Sequence, residues 1–229
     1  MYADSCSFFS SSYLYFVSVV AHRVLLALIL VIALIFGAQC TSSDELSSYE
    51  AVPLDLQHAG EAIIGGEGQL KDWQTLTTLF TAALLHGSVS HIATNMLFLW
   101  IFAGLVGELL GWRWMLAIFC ITAICGTIGD AILRHGSEIP VIGASGALMG
   151  FEAAYLGLAV RWSLPNPWIW PIAHPIPPLN LAILAVGSFF LDISGVAGPD
   201  TGIAYGAHLG GFLAGLFLTC FVTPKPKTI

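Results

Sequence analysis

The chain has very little charge. Only 9% of its 229 residues are Asp, Glu, Lys or Arg, whereas an ordinary soluble domain carries roughly 25%. So few charged side chains leave too little polar surface to cover a water-facing globule of this size. Hydrophobic residues make up 57% of the sequence and come in long runs. The composition excludes a soluble globule and predicts that a lipid bilayer is the solvent.

Basic residues, paired cysteines and repeats are also scarce or missing. Seven Lys and Arg residues, scattered along the chain, are too few for a nucleic-acid binding surface. The net charge of -7 says little about partners, because acidic residues gather between Asp44 and Asp72. The five Cys residues have neither metal-ligand nor redox spacing, so neither a metal centre nor a disulfide framework is expected. No internal repeat is visible, which argues against the common inverted-repeat transporters.

Six apolar segments suggest membrane helices. They run from about Val24 to Gly37, Ile92 to Gly107, Trp114 to Leu133, Val141 to Val160, Leu179 to Leu191 and Ile203 to Val222. Because a spanning helix needs about 20 residues, the first and fifth segments are short. The first could instead be a signal peptide, although no A-x-A cleavage site follows it. The sequence therefore predicts an all-α fold, a polytopic bundle of six transmembrane helices.

The distribution of Lys and Arg predicts the orientation of this bundle. With a cytoplasmic N-terminus, most basic residues fall inside: Arg23, Arg113, Arg161, Lys225 and Lys227. Lys71 and Arg134 fall outside. The expected organisation is a cytoplasmic N-terminal segment over residues 1–22, a membrane domain over 23–223 with an external first loop at about 40–75, and a short cytoplasmic tail over 224–229.

Four polar residues lie where hydrocarbon makes polar side chains costly. His91 and Asn95 are near the outer end of the second segment, Ser145 is near that of the fourth, and His208 is near that of the sixth. Counted from the predicted helix starts, Ser145 and His208 would each lie roughly 7–10 Å along a helix. All four side chains are therefore expected at one depth.

Small residues beside two of these side chains predict close helix packing. Glycines four residues apart let helix backbones approach each other in membranes. Such pairs are Gly146 with Gly150, Gly206 with Gly210, and Gly211 with Gly215. A fourth helix packed on the sixth would bring Ser145 to His208.

The polar residues have a plain chemical interpretation. A serine hydroxyl becomes a good nucleophile when a base takes its proton, and neutral imidazole suits that task. Ser145 and His208 are therefore candidates for nucleophile and base. His91 and Asn95, one turn apart on one helix face, and the backbone N–H of Ser145 could donate to an oxyanion. No carboxylate is evident behind His208, so the pattern predicts a dyad, with Asp200 as a weak candidate for a third member.

Three motifs in this order carry a family resemblance. They are His91-x-x-x-Asn95 at the start of a helix, Gly143-Ala144-Ser145-Gly146, and Ala207-His208-Leu209-Gly210-Gly211. Together they resemble the rhomboid family of intramembrane serine proteases, over about residues 80–215. The resemblance implies a six-helix core, a Ser145–His208 dyad, an oxyanion hole lined by His91 and Asn95, and no cofactor. It implies transmembrane protein substrates in a lipid bilayer.

Two positions depart from the family pattern, and a third residue, Glu152, is an acid within an apolar segment. Some members carry a Tyr one turn after the serine, where this chain has Met149, and some carry Trp-Arg in the first loop, where this chain has Trp73 after Asp72. Glu152 is seven residues past Ser145, on nearly the same helix face. A structural hydrogen bond is the favoured role for Glu152 over a catalytic one.

Two other functions compete with an active protease. A transporter or channel would use intramembrane His, Asn and Glu as a polar pathway, but it would not account for the Ser-Gly pair or for the motif order. The runner-up is an inactive rhomboid-like protein that binds membrane helices. A bacterial inner membrane is the simplest expected location, because no organellar presequence is evident. The substrate and the oligomeric state stay open.

Overall fold

The computed structural model describes residues 5–167, 169, 174–198 and 202–224. Its helices are α1 (Ser5–Gln39), α2 (Ser43–Leu46), α3 (Pro53–Ile64), α4 (Leu70–Thr81), α5 (Val89–Leu110), α6 (Trp112–Leu133), α7 (Ser145–Arg161), α8 (Pro178–Val196) and α9 (Tyr205–Leu218). Short 3-10 turns occupy Ser47–Tyr49, Ala82–Leu84 and Thr219–Phe221. Extended pairing among these residues is limited to one bridge between Ala51 and Val141. The all-α prediction is confirmed.

Within the described residues, four helical segments are long and apolar enough to cross a bilayer, so the chain is a multi-pass membrane protein. They are Val19–Gln39 within α1, and the whole of α5, α6 and α8. The other two predicted spans correspond to shorter helices, α7 with 17 residues and α9 with 14. The first span is not a marginal segment, because Leu25 and Ile32 of α1 are fully buried against the bundle.

α7 is the central helix of the bundle. It contacts α5, α6, α8 and α9, and nearly every residue from Gly146 to Leu158 is buried. The outer helices instead present large apolar side chains on their free faces, such as Leu34 on α1 and Leu191 on α8. A helix that is apolar and buried all round belongs at the centre of a membrane bundle. Residues on α7 therefore lie among the other helices, away from lipid.

The glycines hold α7 against α9 at backbone distance. A Cβ added to Gly211 would lie 1.9 Å from the carbonyl oxygen of Gly146, and one added to Gly215 would lie 2.0 Å from that of Gly150. On its other side α9 meets α6, where a Cβ on Gly129 would lie 3.0 Å from the Cα of Gly210. The predicted packing of the fourth segment on the sixth through small residues is confirmed.

The predicted helix starts near the site are wrong. α7 begins at Ser145 itself, because the residues before it are tied to distant backbone: the Val141 N–H donates to the Ala51 carbonyl at 2.7 Å, and the Gly143 N–H donates to the Ala82 carbonyl at 2.9 Å. His208 is only the fourth residue of α9. Neither residue lies 7–10 Å along a helix. Both lie in a first turn, which still gives them a common level.

The segment between the first two spans is mostly helical. It contains α2, α3 and α4, and the Gln57 side-chain amide ties α3 to α6 by donating to the Ala131 carbonyl at 2.8 Å. Lys225, Lys227 and Asp200, used above for orientation and as a candidate site residue, lie outside the described residues. The predicted domain boundaries and orientation stay predictions.

We expect Gly215→Ala to destabilise the bundle strongly. Its methyl group would overlap the Gly150 carbonyl, and overpacking of this kind costs about 1–3 kcal/mol or more. Gly187→Ala is the matched control, because nothing lies within 4 Å of a Cβ at that position of α8. Thermal unfolding in detergent, followed by circular dichroism, should show a lowered Tm for Gly215→Ala alone. Equal Tm values for the two variants would contradict the close α7–α9 contact.

Candidate active site

One cavity collects all of the predicted site residues. It has a volume of about 720 Å³ and lies between α5, α7, α8 and α9. Its polar lining includes His91, Asn95, Ser145 and His208, and also Asp192 and Glu152. The structure therefore brings the four residues together from three helices.

Ser145 and His208 line the same cavity, and the residues next to them in sequence touch. The ideal Cβ position of Gly146 lies 3.1 Å from the carbonyl oxygen of Ala207, which places the residue after the serine against the residue before the histidine. Ser145 is half-buried at the first position of α7. The first backbone N–H groups of a helix have no intrahelical acceptor and stand at its positive end. Ser145 therefore offers two groups at the same place: its hydroxyl, and a backbone N–H that has no acceptor within the helix.

Gly143 allows the loop before the serine to touch His91. Its φ is +119°, a conformation that favours glycine, and an added Cβ would lie 2.7 Å from Nε2 of His91. The His91 backbone N–H in turn donates to Oγ of Ser88, which caps α5. The imidazole is therefore held against the loop that presents Ser145.

Asn95 contributes a buried donor. The side chain is 3% exposed, and its Nδ2 atom has no hydrogen-bond partner among the described residues. It lies 3.6 Å from the ideal Cβ position of Gly143, at the cavity wall. Leaving a buried donor unpaired costs about 1–3 kcal/mol. Such a group is available to a ligand that brings an acceptor oxygen into the cavity.

His86 supports His91 from the loop before α5. It is 2% exposed, and its ring lies edge-on to that of His91 with centroids 5.0 Å apart. Burial, and then the neighbouring His91, lower the pKa of His86 to about 4. Its imidazole is therefore neutral near pH 7. The contact between His86 and His91 was not predicted from the sequence.

Asp192 stands behind His208, where no carboxylate was expected. Its Oδ1 atom lies 2.8 Å from Nδ1 of His208, and the aspartate is 7% exposed. The predicted fifth segment ended at about Leu191, immediately before Asp192. α8 instead continues to Val196. The expectation of an unsupported His208 is wrong. The sequence would have indicated Asp192 if the fifth helix had been continued beyond Leu191, because an acidic residue then lies within an apolar helix.

Glu152 lies deeper on the same wall. It is 2% exposed, its carboxyl interacts with the hydroxyl of Ser188 on α8, and its Oε2 atom has no partner among the described residues.

Met149, at the position where some relatives carry Tyr, packs in an apolar cluster with Phe212. An aromatic ring still borders His208, because Tyr205 lies edge-on to it with centroids 6.3 Å apart.

In the part of the chain that the structure describes, no group of three or more His, Cys, Asp or Glu side chains could hold a metal ion. The cavity offers instead four hydroxyls, two imidazoles, an amide, two carboxyls and the guanidinium of Arg134. This set can accept, donate and relay protons around a carbonyl group.

Comparison with known proteins points to one family. Residues 73–225 match the family model described as Rhomboid domain. The chain is 28% identical to Rhomboid-like protease 3 of Toxoplasma gondii over 76% of this chain and 60% of that protein. It is 27% identical to RHOMBOID-like protein 12, mitochondrial, of Arabidopsis thaliana over 59% of this chain and 43% of that protein. A third relative is Presenilin-associated rhomboid-like protein A, mitochondrial, of Danio rerio, 28% identical over 58% of this chain and 34% of that protein.

The chain spans between 34% and 60% of the length of these curated relatives. All three come from eukaryotes, and two are named as mitochondrial. They lend no support to the expected bacterial inner membrane.

We expect Glu152→Leu to leave the Tm unchanged or to raise it. The substitution removes a buried, incompletely paired carboxyl, and apolar replacements of such groups are often neutral or stabilising. Asp130→Leu is the matched control, because Asp130 is also buried with one oxygen unpaired among the described residues, but its other oxygen pairs with the charged Arg134 at 2.7 Å. Loss of this ion pair should lower the Tm clearly. If Glu152→Leu melts as far below wild type as Asp130→Leu, the interaction of Glu152 with Ser188 is a main source of stability and the expectation is wrong.

Proposed function

The chain belongs to the rhomboid family, and on that premise we propose that it is an intramembrane serine endopeptidase. It hydrolyses peptide bonds in or near the transmembrane segments of membrane-protein substrates, with Ser145 as nucleophile and His208 as general base. The observation that carries the proposal is a single cavity holding Ser145 and His208 together with the unpaired amide of Asn95. No cofactor takes part.

The first half of the reaction forms a bond to Ser145. As Oγ attacks the substrate carbonyl carbon, its proton passes to Nε2 of His208, and the carbonyl oxygen becomes an oxyanion. Nδ2 of Asn95, the His91 imidazole and the Ser145 backbone N–H are the donors for that oxygen. Donors already fixed in a site with little water act without reorganisation, which is why such groups are effective.

The second half returns the enzyme to its starting state. The carbon–nitrogen bond breaks, and His208 gives its proton to the leaving amine, which leaves an acyl group on Ser145. Water then attacks this ester, gives a proton to Nε2 of His208, and Oγ of Ser145 takes that proton back as the acid product leaves. The cavity, with a volume of about 720 Å³, has room for the water that this step consumes.

We place six spanning helices in the membrane: α1, α5, α6, α7, α8 and α9. With both termini cytoplasmic, the N-terminal ends of α5, α7 and α9 face outward, which fits the cavity at the shared level of Ser145 and His208. Substrate helices would then be cut near their outer ends. We propose a multi-pass location in a membrane, and we assign that membrane neither to a bacterium nor to an organelle.

A fluorophosphonate probe tests the nucleophile directly. We expect wild-type protein in detergent to be labelled, because His208 activates Ser145 toward the phosphorus atom. Ser145→Ala and His208→Ala should not be labelled. An inactive relative that only binds membrane helices predicts no labelling of any form, so an unlabelled but folded wild type would refute the proposal.

Asn95→Ala should slow cleavage of a transmembrane reporter about ten- to a thousandfold while the protein stays folded, because one oxyanion donor is lost. The effect should fall on kcat. Leu97→Ala, on the exposed face of the same helix and away from the cavity, is the control and should cleave at the wild-type rate. Unchanged cleavage by Asn95→Ala would remove this residue from the mechanism.

A further inference from the structure

We propose that Asp192 is a positioning residue for His208, so that the site works through three residues from three helices. The inference rests on the proposed function, since it concerns the base of that reaction. It departs from the dyad expected from the sequence. Because Asp192 is on α8, the position of that helix then determines whether His208 is correctly oriented and protonated.

The register of α8 on α9 places Asp192 at His208. One turn before it, Phe189 stacks on Phe212 with ring centroids 4.5 Å apart. One turn after it, Gly195 lies under Tyr205, so closely that an added Cβ would be 2.3 Å from the ring. Residues three apart share a helix face. Asp192 is therefore held between two packed contacts, which fix its carboxylate opposite Nδ1 of His208.

The surroundings leave His208 as the partner of this carboxylate. Oδ1 of Asp192 lies 2.8 Å from Nδ1, and Oδ2 has no hydrogen-bond partner among the described residues. The other ion pairs recorded among the described residues are His22 with Glu108 and Arg134 with Asp130. Arg134 lines the same cavity but pairs with Asp130, and no Lys or Arg of the described residues forms an ion pair with Asp192. A buried carboxylate is costly unless it is paired, so its placement here needs a reason beyond packing.

The pairing sets which nitrogen of His208 can act. With the proton on Nδ1 donated to the carboxylate, Nε2 carries the lone pair and is the nitrogen left for Ser145. When Nε2 takes the Oγ proton, the ring becomes positive, and the adjacent Asp192 charge stabilises it. The proton moves on from Nε2 to the leaving amine, and the proton on Nδ1 stays where it is. Asp192 orients and stabilises the base without accepting a proton.

The test compares Asp192→Asn with wild type in two reactions. Asn has nearly the same shape but no charge, so a merely space-filling role would survive the change. We expect kcat for a transmembrane reporter to fall about 10- to 1000-fold, with KM within about threefold, and the fluorophosphonate labelling rate to fall in parallel. Ser194→Ala, an exposed neighbour on α8 that does not line the cavity, should match wild type in both reactions.

The two reactions separate the possible failures. The probe is small and needs no docked substrate helix, so slower reporter cleavage with normal labelling would mean that Asp192 serves substrate admission, and this outcome overturns the proposal. Wild-type rates for Asp192→Asn in both reactions also overturn it. Absence of labelling and cleavage in wild type itself would instead refute the proposed function.

A measurement on the unsubstituted site covers the case in which Asp192→Asn does not fold. Nitrogen NMR of protein labelled in its histidines, with His208 assigned from the resonance missing in His208→Ala, reports which ring nitrogen carries the proton. We expect the neutral ring of wild type to carry it on Nδ1. A neutral His208 protonated on Nε2 would contradict the positioning role.

Discussion

The backbone contact between α7 and α9 is the constraint on which the site depends. A Cβ on Gly211 would lie 1.9 Å from the Gly146 carbonyl oxygen, so Gly211 tolerates no side chain, and the contact is repeated one turn further on by Gly215 against the Gly150 carbonyl. Between apolar helices in lipid there is little hydrophobic force, so close packing of this kind is a main source of association. The same contact lies beside Ser145. Helix packing and the meeting of the candidate nucleophile with its base are therefore one feature of the structure.

The second requirement is that polar groups remain unpaired or singly paired in a buried cavity. Asn95 keeps an unpaired amide donor, and Asp192 keeps one free carboxylate oxygen among the described residues. Buried polar groups without a full set of partners destabilise the folded state. The packing of α5 and α8 against α7 holds Asn95 and Asp192 in place. Arrangements of this kind are typical of sites that bind a developing charge.

The sequence allowed Ser145, His208, His91 and Asn95 to be chosen, because polar residues stand out in apolar helices. The glycine spacing also identified the right pair of helices. The start of α7 could not be read locally, since it depends on Val141 bonding to Ala51, far away in the chain. Asp192 was missed for a related reason. Its role depends on how α8 lies against α9, and neither the length of α8 nor that register is written in the apolar pattern.

The central claim is that Ser145 cuts membrane-protein substrates within this cavity. The most direct measurement reconstitutes the purified protein with a single-span reporter in liposomes and identifies the products by mass spectrometry. The account predicts one main cut in or next to the transmembrane segment with wild type and none with Ser145→Ala at equal protein. Equal products from Ser145→Ala would contradict it, as would an intact reporter after incubation with folded wild type.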